Sequence, residues 1–179
     1  ALELASYAKK VAASMGTTVT AVTINNSDNS ALAAYGVDKV LNVSNDKLNN
    51  FSAKAYADVI AQAAKKEGTQ IVLVSSSTDS LYLAPLVAVA LEAGYASNVV
   101  ALPVSTSPFQ VKRTAFSNKA FNITEISTPV KVLGIAKNSF GLVEDAVSMT
   151  EEAFAPSLND ADFGIKVENV EKVTGKVTI

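Results

Sequence analysis

Three glycines decide most of what this chain can fold into. Gly16, Gly68 and Gly94 each stand between a run with helical spacing and a short β-branched run, where a helix stops in a left-handed residue and a strand begins. Before Gly16, the apolar residues Leu4, Tyr7, Ala8, Val11, Ala12 and Met15 share one helical face, and Thr18–Ile24 follows with a strand pattern. Ser52–Lys66, with Ala53, Tyr56, Ala57, Ile60 and Ala64 on one face, precedes Gly68 and the strand Ile71–Ser75. A third helix, Leu81–Ala93, precedes Gly94 and the strand Asn98–Leu102, while Ser30–Tyr35 and Lys39–Val43 add a short helix and a strand. Ile71–Ser75 is almost wholly apolar, as a strand covered on both faces is. Repetition of helix, glycine and strand predicts an α/β fold: a doubly wound, mainly parallel sheet with right-handed crossovers.

Beyond Pro103 the pattern changes. Gln110–Phe116 and Ala120–Ile126 alternate around Ser117-Asn118-Lys119, which predicts an antiparallel hairpin extension, and Val130–Ile135 follows as another strand. From Gly141 the pattern weakens into an acidic stretch around Pro156 that reads as a surface extension, with one or two strands expected between Ile165 and Ile179. The sequence opens on a helix where such a fold opens on a strand, and it stops on β-branched residues. Truncation at both ends is therefore expected, and with it exposed apolar sheet surface, lowered stability or self-association.

Composition excludes more than it suggests. With 179 residues, 49% hydrophobic and 18% charged, the chain can bury a core and is not disordered. It contains no Cys and no His, which removes disulfides, thiolate nucleophiles, zinc and haem ligand sets and any Ser-His-Asp relay. The net charge of −2, with basic residues scattered, offers no nucleic-acid surface. The longest apolar run, Leu81–Leu91, is interrupted by Pro85 and is too short to span a bilayer, so no membrane insertion is expected. No secretory signal is visible, which points to the cytosol, cytoplasmic in a bacterium, or to an organelle matrix; the resemblance described below would make that matrix mitochondrial in a eukaryote.

The one loop that invites a ligand is Ser75–Ser80, between a buried strand and a helix. Ser76, Ser77, Thr78, Asp79 and Ser80 present hydroxyls and a helix start where open α/β sheets bind ligands. The plainer reading has Asp79 or Ser80 capping the helix and the other hydroxyls satisfying loop backbone. No G-x-G pair or phosphate-loop motif accompanies the loop. Lys112-Arg113 reads as structural or interfacial. Glu144-Asp145 and Glu151-Glu152 are adjacent, so neither pair shares one face of a strand for paired-carboxylate chemistry. The tyrosines, Tyr95 among them, are dispersed and read as packing residues. The residues themselves predict no catalytic and no metal site.

The run IVLVSSSTDSLYLAPLVAVALEAGYASNVVAL, from Ile71 to Leu102, resembles the N-terminal, non-FAD domain of the electron transfer flavoprotein alpha subunit. Tyr35–Val43, Arg113–Phe116 with Ala120-Phe121, Pro129–Val132 and Ser139-Phe140 continue the resemblance in order. Two positions depart from the family pattern: Asn118-Lys119 replaces a common Gly-Asn turn, and Ala136 stands where an Arg is frequent. The resemblance implies an adenine nucleotide alpha hydrolase-like fold for residues 1–140 and, for 141–179, an extension leading toward a FAD-binding domain. It implies FAD in the full-length subunit and AMP in a partner beta subunit, with no cofactor held here. It also implies electron carriage, not catalysis, between dehydrogenases, typically acyl-CoA dehydrogenases, and a quinone reductase, with this region as the structural, subunit-interface half. The competing reading is a stand-alone nucleotide-binding or stress-type α/β module using the Ser75–Ser80 loop, which saturable ATP or AMP binding would favour.

Overall fold

The computed structural model describes residues 1–165 together with 168, 169, 171 and 175. The strands expected between Ile165 and Ile179 lie outside the described residues. In chain order the elements are α1 (Leu2–Met15), β1 (Thr20–Ile24), a 3-10 helix (Ser30–Tyr35), β2 (Lys39–Val43), α2 (Ala53–Glu67), β3 (Ile71–Ser75), α3 (Ser80–Ala90), β4 (Gly94–Val99), β5 (Ser105–Thr106), β6 (Phe109–Ala115), β7 (Ala120–Glu125), β8 (Lys131–Ile135) and β9 (Thr150–Ala153). Gly16 and Gly68 end their helices at φ 64° and 61°, the left-handed residues the sequence predicts.

The strands form two sheets. One is parallel, in the order β1-β2-β9; the other runs β3-β8-β4-β6-β5, with β7 paired to β6. Its β3-β8-β4 portion is parallel, and the β6–β7 hairpin is antiparallel in the register Ala115↔Ala120 to Gln110↔Glu125. Successive strand residues point to opposite faces. Ile71 and Leu73 pack with Tyr7 and Val11 of α1, whereas Val72 and Val74 pack with Ala57 and Ala64 of α2 and with Ala84 and Val87 of α3. Likewise Val19 and Ala21 meet Ala5, Ala8 and Ala12 of α1, and Val22 and Ile24 meet Val59 of α2. Helices thus cover both faces, as the doubly wound reading requires.

Two expectations are corrected. Gly94 does not end the third helix, which stops at Ala90; Glu92 takes the left-handed conformation at φ 51°. Gly94 opens β4 instead, where a Cβ would fall 2.4 Å from the Cγ2 of Ile126, so the glycine serves close packing. The strand expected at Asn98–Leu102 accordingly begins at Gly94 and is irregular near Asn98, whose φ is 54°. β8, which follows the hairpin, returns to the middle of the parallel ladder between β3 and β4.

The acidic segment after Gly141 also contributes a strand. β9 lies parallel to β2 and puts its two glutamates on opposite sides, as the adjacent spacing demands. The Glu151 carboxylate accepts from Asn29 and Asn42 at 3.0 and 2.7 Å. Glu152 receives Lys39 at 2.8 Å and Lys66 at 2.6 Å, and Lys39 also meets Glu67 at 2.9 Å. Hydrogen bonds from Lys39 and then Lys66 hold the Glu152 carboxyl at about 2, below its ordinary value of 4.5. A depressed carboxylate contributes stability that is present above the unfolded value and lost as pH falls through the folded one. Glu152→Gln should therefore lower the melting temperature at pH 6, with the difference from the parent closing between about pH 4.5 and pH 2. Thermal melts across that range check it; a constant difference down to pH 2 would remove the role of this ion pair.

Candidate functional site

The carboxyl ends of β3, β8 and β4 lie together, and the Ser75–Ser80 loop leaves from this edge. Ser76 N–H donates to the Ile135 carbonyl at 2.8 Å, carrying the β3–β8 ladder one residue further. Ser77 and Ser80 then close on each other. Ser77 N–H donates to Ser80 Oγ at 2.6 Å, Ser80 N–H to Ser77 Oγ at 3.3 Å, and Ser80 Oγ to the Ser77 carbonyl at 2.8 Å. The side chain capping α3 is therefore Ser77, where the sequence suggests Asp79 or Ser80. Asp79 has helical angles, φ −64° and ψ −36°, and makes no capping bond through its side chain.

This reciprocal arrangement bears on ligand binding. A phosphate at a helix start needs free N–H groups aimed at it, and here the Ser77 and Ser80 donors are already engaged. Thr78 and Asp79 are exposed at the tip, where Asp79 carries a carboxylate. The Ser77 and Ser80 N–H groups are thus not free to meet a phosphate, and no chemical step is assigned to the loop.

Beside the loop, Gly134 in β8 brings together residues far apart in sequence. A Cβ at Gly134 would lie 3.3 Å from the Tyr95 hydroxyl and 3.4 Å from Ser76 Oγ. Burial raises the Tyr95 hydroxyl pKa, against the opposing Arg113 guanidinium and the Ser97 hydrogen bond. Arg113 lies on β6 opposite Val99 of β4, and its Nε is buried without a hydrogen-bond partner among the described residues. Its neighbour Lys112 is instead set over the Phe121 ring, 4.2 Å from the centroid. From sequence alone Tyr95 reads as a packing residue and Lys112-Arg113 as one structural or interfacial pair. An isolated glycine inside the apolar strand Lys131–Ile135 was the available signal of a close approach. The patch brings together a cation and hydroxyls, groups that can hold or orient a polar partner.

The Ser139-Phe140 motif ties this edge to α1. Glu3 accepts backbone N–H groups from Asn138 and Phe140, each at 2.9 Å, and from Gly141 at 3.0 Å. These bonds, led by Phe140, lower the Glu3 carboxyl pKa. The Phe140 ring meets Tyr7 edge-on at 5.5 Å, and the buried Tyr7 hydroxyl donates to the Ala101 carbonyl at 2.9 Å.

Two exposed apolar surfaces complete the picture. On α3 the outward stripe is Leu81, Tyr82, Pro85, Leu86 and Val89, with Tyr82 66% and Val89 77% exposed. Among the described residues nothing covers this stripe of apolar side chains at helical spacing. On the hairpin, Phe116, Phe121 and Ile123 are also exposed. No helix among the described residues is long and apolar enough to cross a membrane.

The sequence model of the electron transfer flavoprotein domain matches residues 1–161, nearly the whole described chain. This chain belongs to that family. Relatives named as electron transfer flavoprotein subunit alpha agree with the assignment. That of Bacillus subtilis is 24% identical over 143 residues, covering 80% of this chain and 44% of its own length. That of Thermoanaerobacterium thermosaccharolyticum is 26% identical over 181 residues, covering 96% of this chain and 54% of its own. That of Clostridium acetobutylicum is 28% identical over 106 residues, covering 58% and 32%. The chain thus spans about half the length, or less, of these electron transfer flavoprotein relatives.

Proposed function

We propose that this chain is the N-terminal half of the alpha subunit of a heterodimeric electron transfer flavoprotein, and that it acts as the scaffold which meets the beta subunit. The observation that carries this reading is an exposed apolar α3 stripe on a domain matched by the family over residues 1–161. Residues 1–140 form most of the α/β domain, β9 at Thr150–Ala153 adds to its parallel sheet, and the chain beyond leads toward a FAD-binding domain. The assembly carries electrons from dehydrogenases, typically acyl-CoA dehydrogenases, to a quinone reductase in a bacterial cytoplasm or mitochondrial matrix. AMP belongs to the beta subunit.

FAD supplies the redox chemistry when held by the rest of the subunit, and the protein sets its position and surroundings. The residues of this chain position that assembly. The α3 stripe and the hairpin aromatics bury apolar surface against the beta subunit, and the Ser76–Tyr95–Arg113 patch orients polar groups at the carboxyl edge of the sheet. Co-expression with the beta subunit from the same source tests this. A stable one-to-one complex by sedimentation is expected; two species sedimenting separately at micromolar concentration would reject it.

A further inference from the structure

Arg113 is the only arginine among the fifteen Lys and Arg residues of the sequence. A guanidinium is a permanent cation with a planar fork of N–H donors, shaped to meet two oxygens at once. Lys9, Lys10, Lys39, Lys47, Lys54 and Lys66 each stand within ion-pair distance of a carboxylate. Arg113 meets no carboxylate among the described residues, and its Nε is withdrawn from solvent without an acceptor. A buried donor on a cation calls for an acceptor, and the acceptor that matches a guanidinium best is a negatively charged oxygen.

The groups around Arg113 are also set to donate. Its charge reaches the Tyr95 hydroxyl, and Ser97 hydrogen-bonds the same hydroxyl in the sense that favours its ionised form, so Ser97 is the donor. The Tyr95 proton is thereby left to point outward, and burial, the largest influence on this hydroxyl, keeps that proton in place. Tyr95 and Ser76 flank Gly134: a Cβ there would lie 3.3 Å from the first hydroxyl, 3.4 Å from the second and 3.5 Å from the Ser97 Cα. Glycine therefore keeps clear the space between two hydroxyls that any other residue would fill. Ser76, Tyr95, Ser97 and Arg113 are all half-buried, so this space opens to solvent at the carboxyl edge of the sheet.

We propose that Arg113, Tyr95 and Ser76, grouped around Gly134, form a binding site for a small oxyanion, the phosphoryl or carboxylate group of a soluble ligand. The guanidinium fork takes the charge, and the two hydroxyls fix the orientation of the group. Lysine in place of Arg113 would supply the charge without the fork. The donors are side chains on β4, β6 and the end of β3, so the site does not draw on the start of α3, where the Ser77 and Ser80 N–H groups are engaged within the loop. Such a site goes beyond a scaffolding role and requires neither FAD nor a beta subunit.

The test uses the nitrogen-15-labelled 179-residue chain, whose single arginine gives one side-chain Nε–H resonance. Inorganic phosphate and, separately, acetate are titrated at an ionic strength held constant with sodium chloride. At least one of them should shift the Arg113 Nε–H and the Gly134 amide together along a saturating curve, with a dissociation constant below about 10 mM. Saturation by phosphate assigns a phosphoryl group, and saturation by acetate a carboxylate. Tyr95→Phe should weaken binding at least about fivefold. Arg113→Lys should abolish saturation at the Gly134 amide. Lys112→Gln removes the neighbouring cation and should leave the dissociation constant within about twofold. Failure of both anions to saturate, equal shifts with chloride, unchanged affinity in Tyr95→Phe or Arg113→Lys, or a larger loss in Lys112→Gln than in Arg113→Lys would each overturn the proposal. None of these readings depends on the flavoprotein function.

Discussion

Replacing Tyr82 and Val89 together by Asp is expected to weaken association with the beta subunit by more than about a hundredfold, through two unpaired charges at the centre of an apolar contact. The fold should be unaffected. Both side chains are exposed on the outer face of α3, at 66% and 77%, while its inner face is carried by Ala84, Val87 and Ala88, which the substitution leaves alone. Sedimentation or titration calorimetry measures the loss, and far-ultraviolet circular dichroism with a thermal melt confirms the fold. Unchanged affinity in a folded variant would move the interface away from α3. Phe116→Ser and Phe121→Ser on the hairpin would then become the informative substitutions.

The parallel core was legible in the sequence because its signals are local. Lys39–Val43 and Ile71–Ser75 occur as read, and Gly16 and Gly68 take the left-handed conformation that a helix end favours. Gly94 misled because a glycine answers two different needs, a positive φ or a close approach, and only packing distinguishes them. Here Glu92 supplied the first and Gly94 the second. β8 was readable as a strand, but its insertion between β3 and β4 depends on contacts distant in sequence. β9 was hidden because Thr150–Ala153 is polar. Its glutamates are matched by Lys39, Lys66, Asn29 and Asn42, partners supplied by other elements. The carboxyl-edge patch was only half legible: the Ser75–Ser80 loop announced itself, whereas Tyr95, Ser97 and Arg113 join it only through the sheet.

Leu133→Ala should be the most destabilising single truncation. Leu133 is fully buried at 0% exposure in β8, the strand bonded to both β3 and β4. It packs with Tyr7, Val11, Ala96 and Val111, so the cavity left behind would be enclosed by α1 and three strands. Loss of a fully buried Leu side chain costs about 3–4 kcal/mol when the surroundings cannot collapse. For a chain of this size that corresponds to a melting temperature lower by about 6–16 °C. Chemical denaturation of both proteins measures the difference. A loss below about 1 kcal/mol would show that β8 is not at the centre of the core, contrary to the topology described above.

The central claim is that this chain is one half of an electron transfer flavoprotein alpha subunit held against a beta subunit. The most direct measurement is made on the protein isolated from its source through a tag placed in the exposed polar loop at residues 26–28, away from α3 and the hairpin. Intact masses of every copurifying chain are recorded together with the visible absorption spectrum. The account predicts an alpha polypeptide longer than 18.6 kDa, a second subunit and a flavin spectrum. A solitary, colourless chain of 18.6 kDa would contradict it.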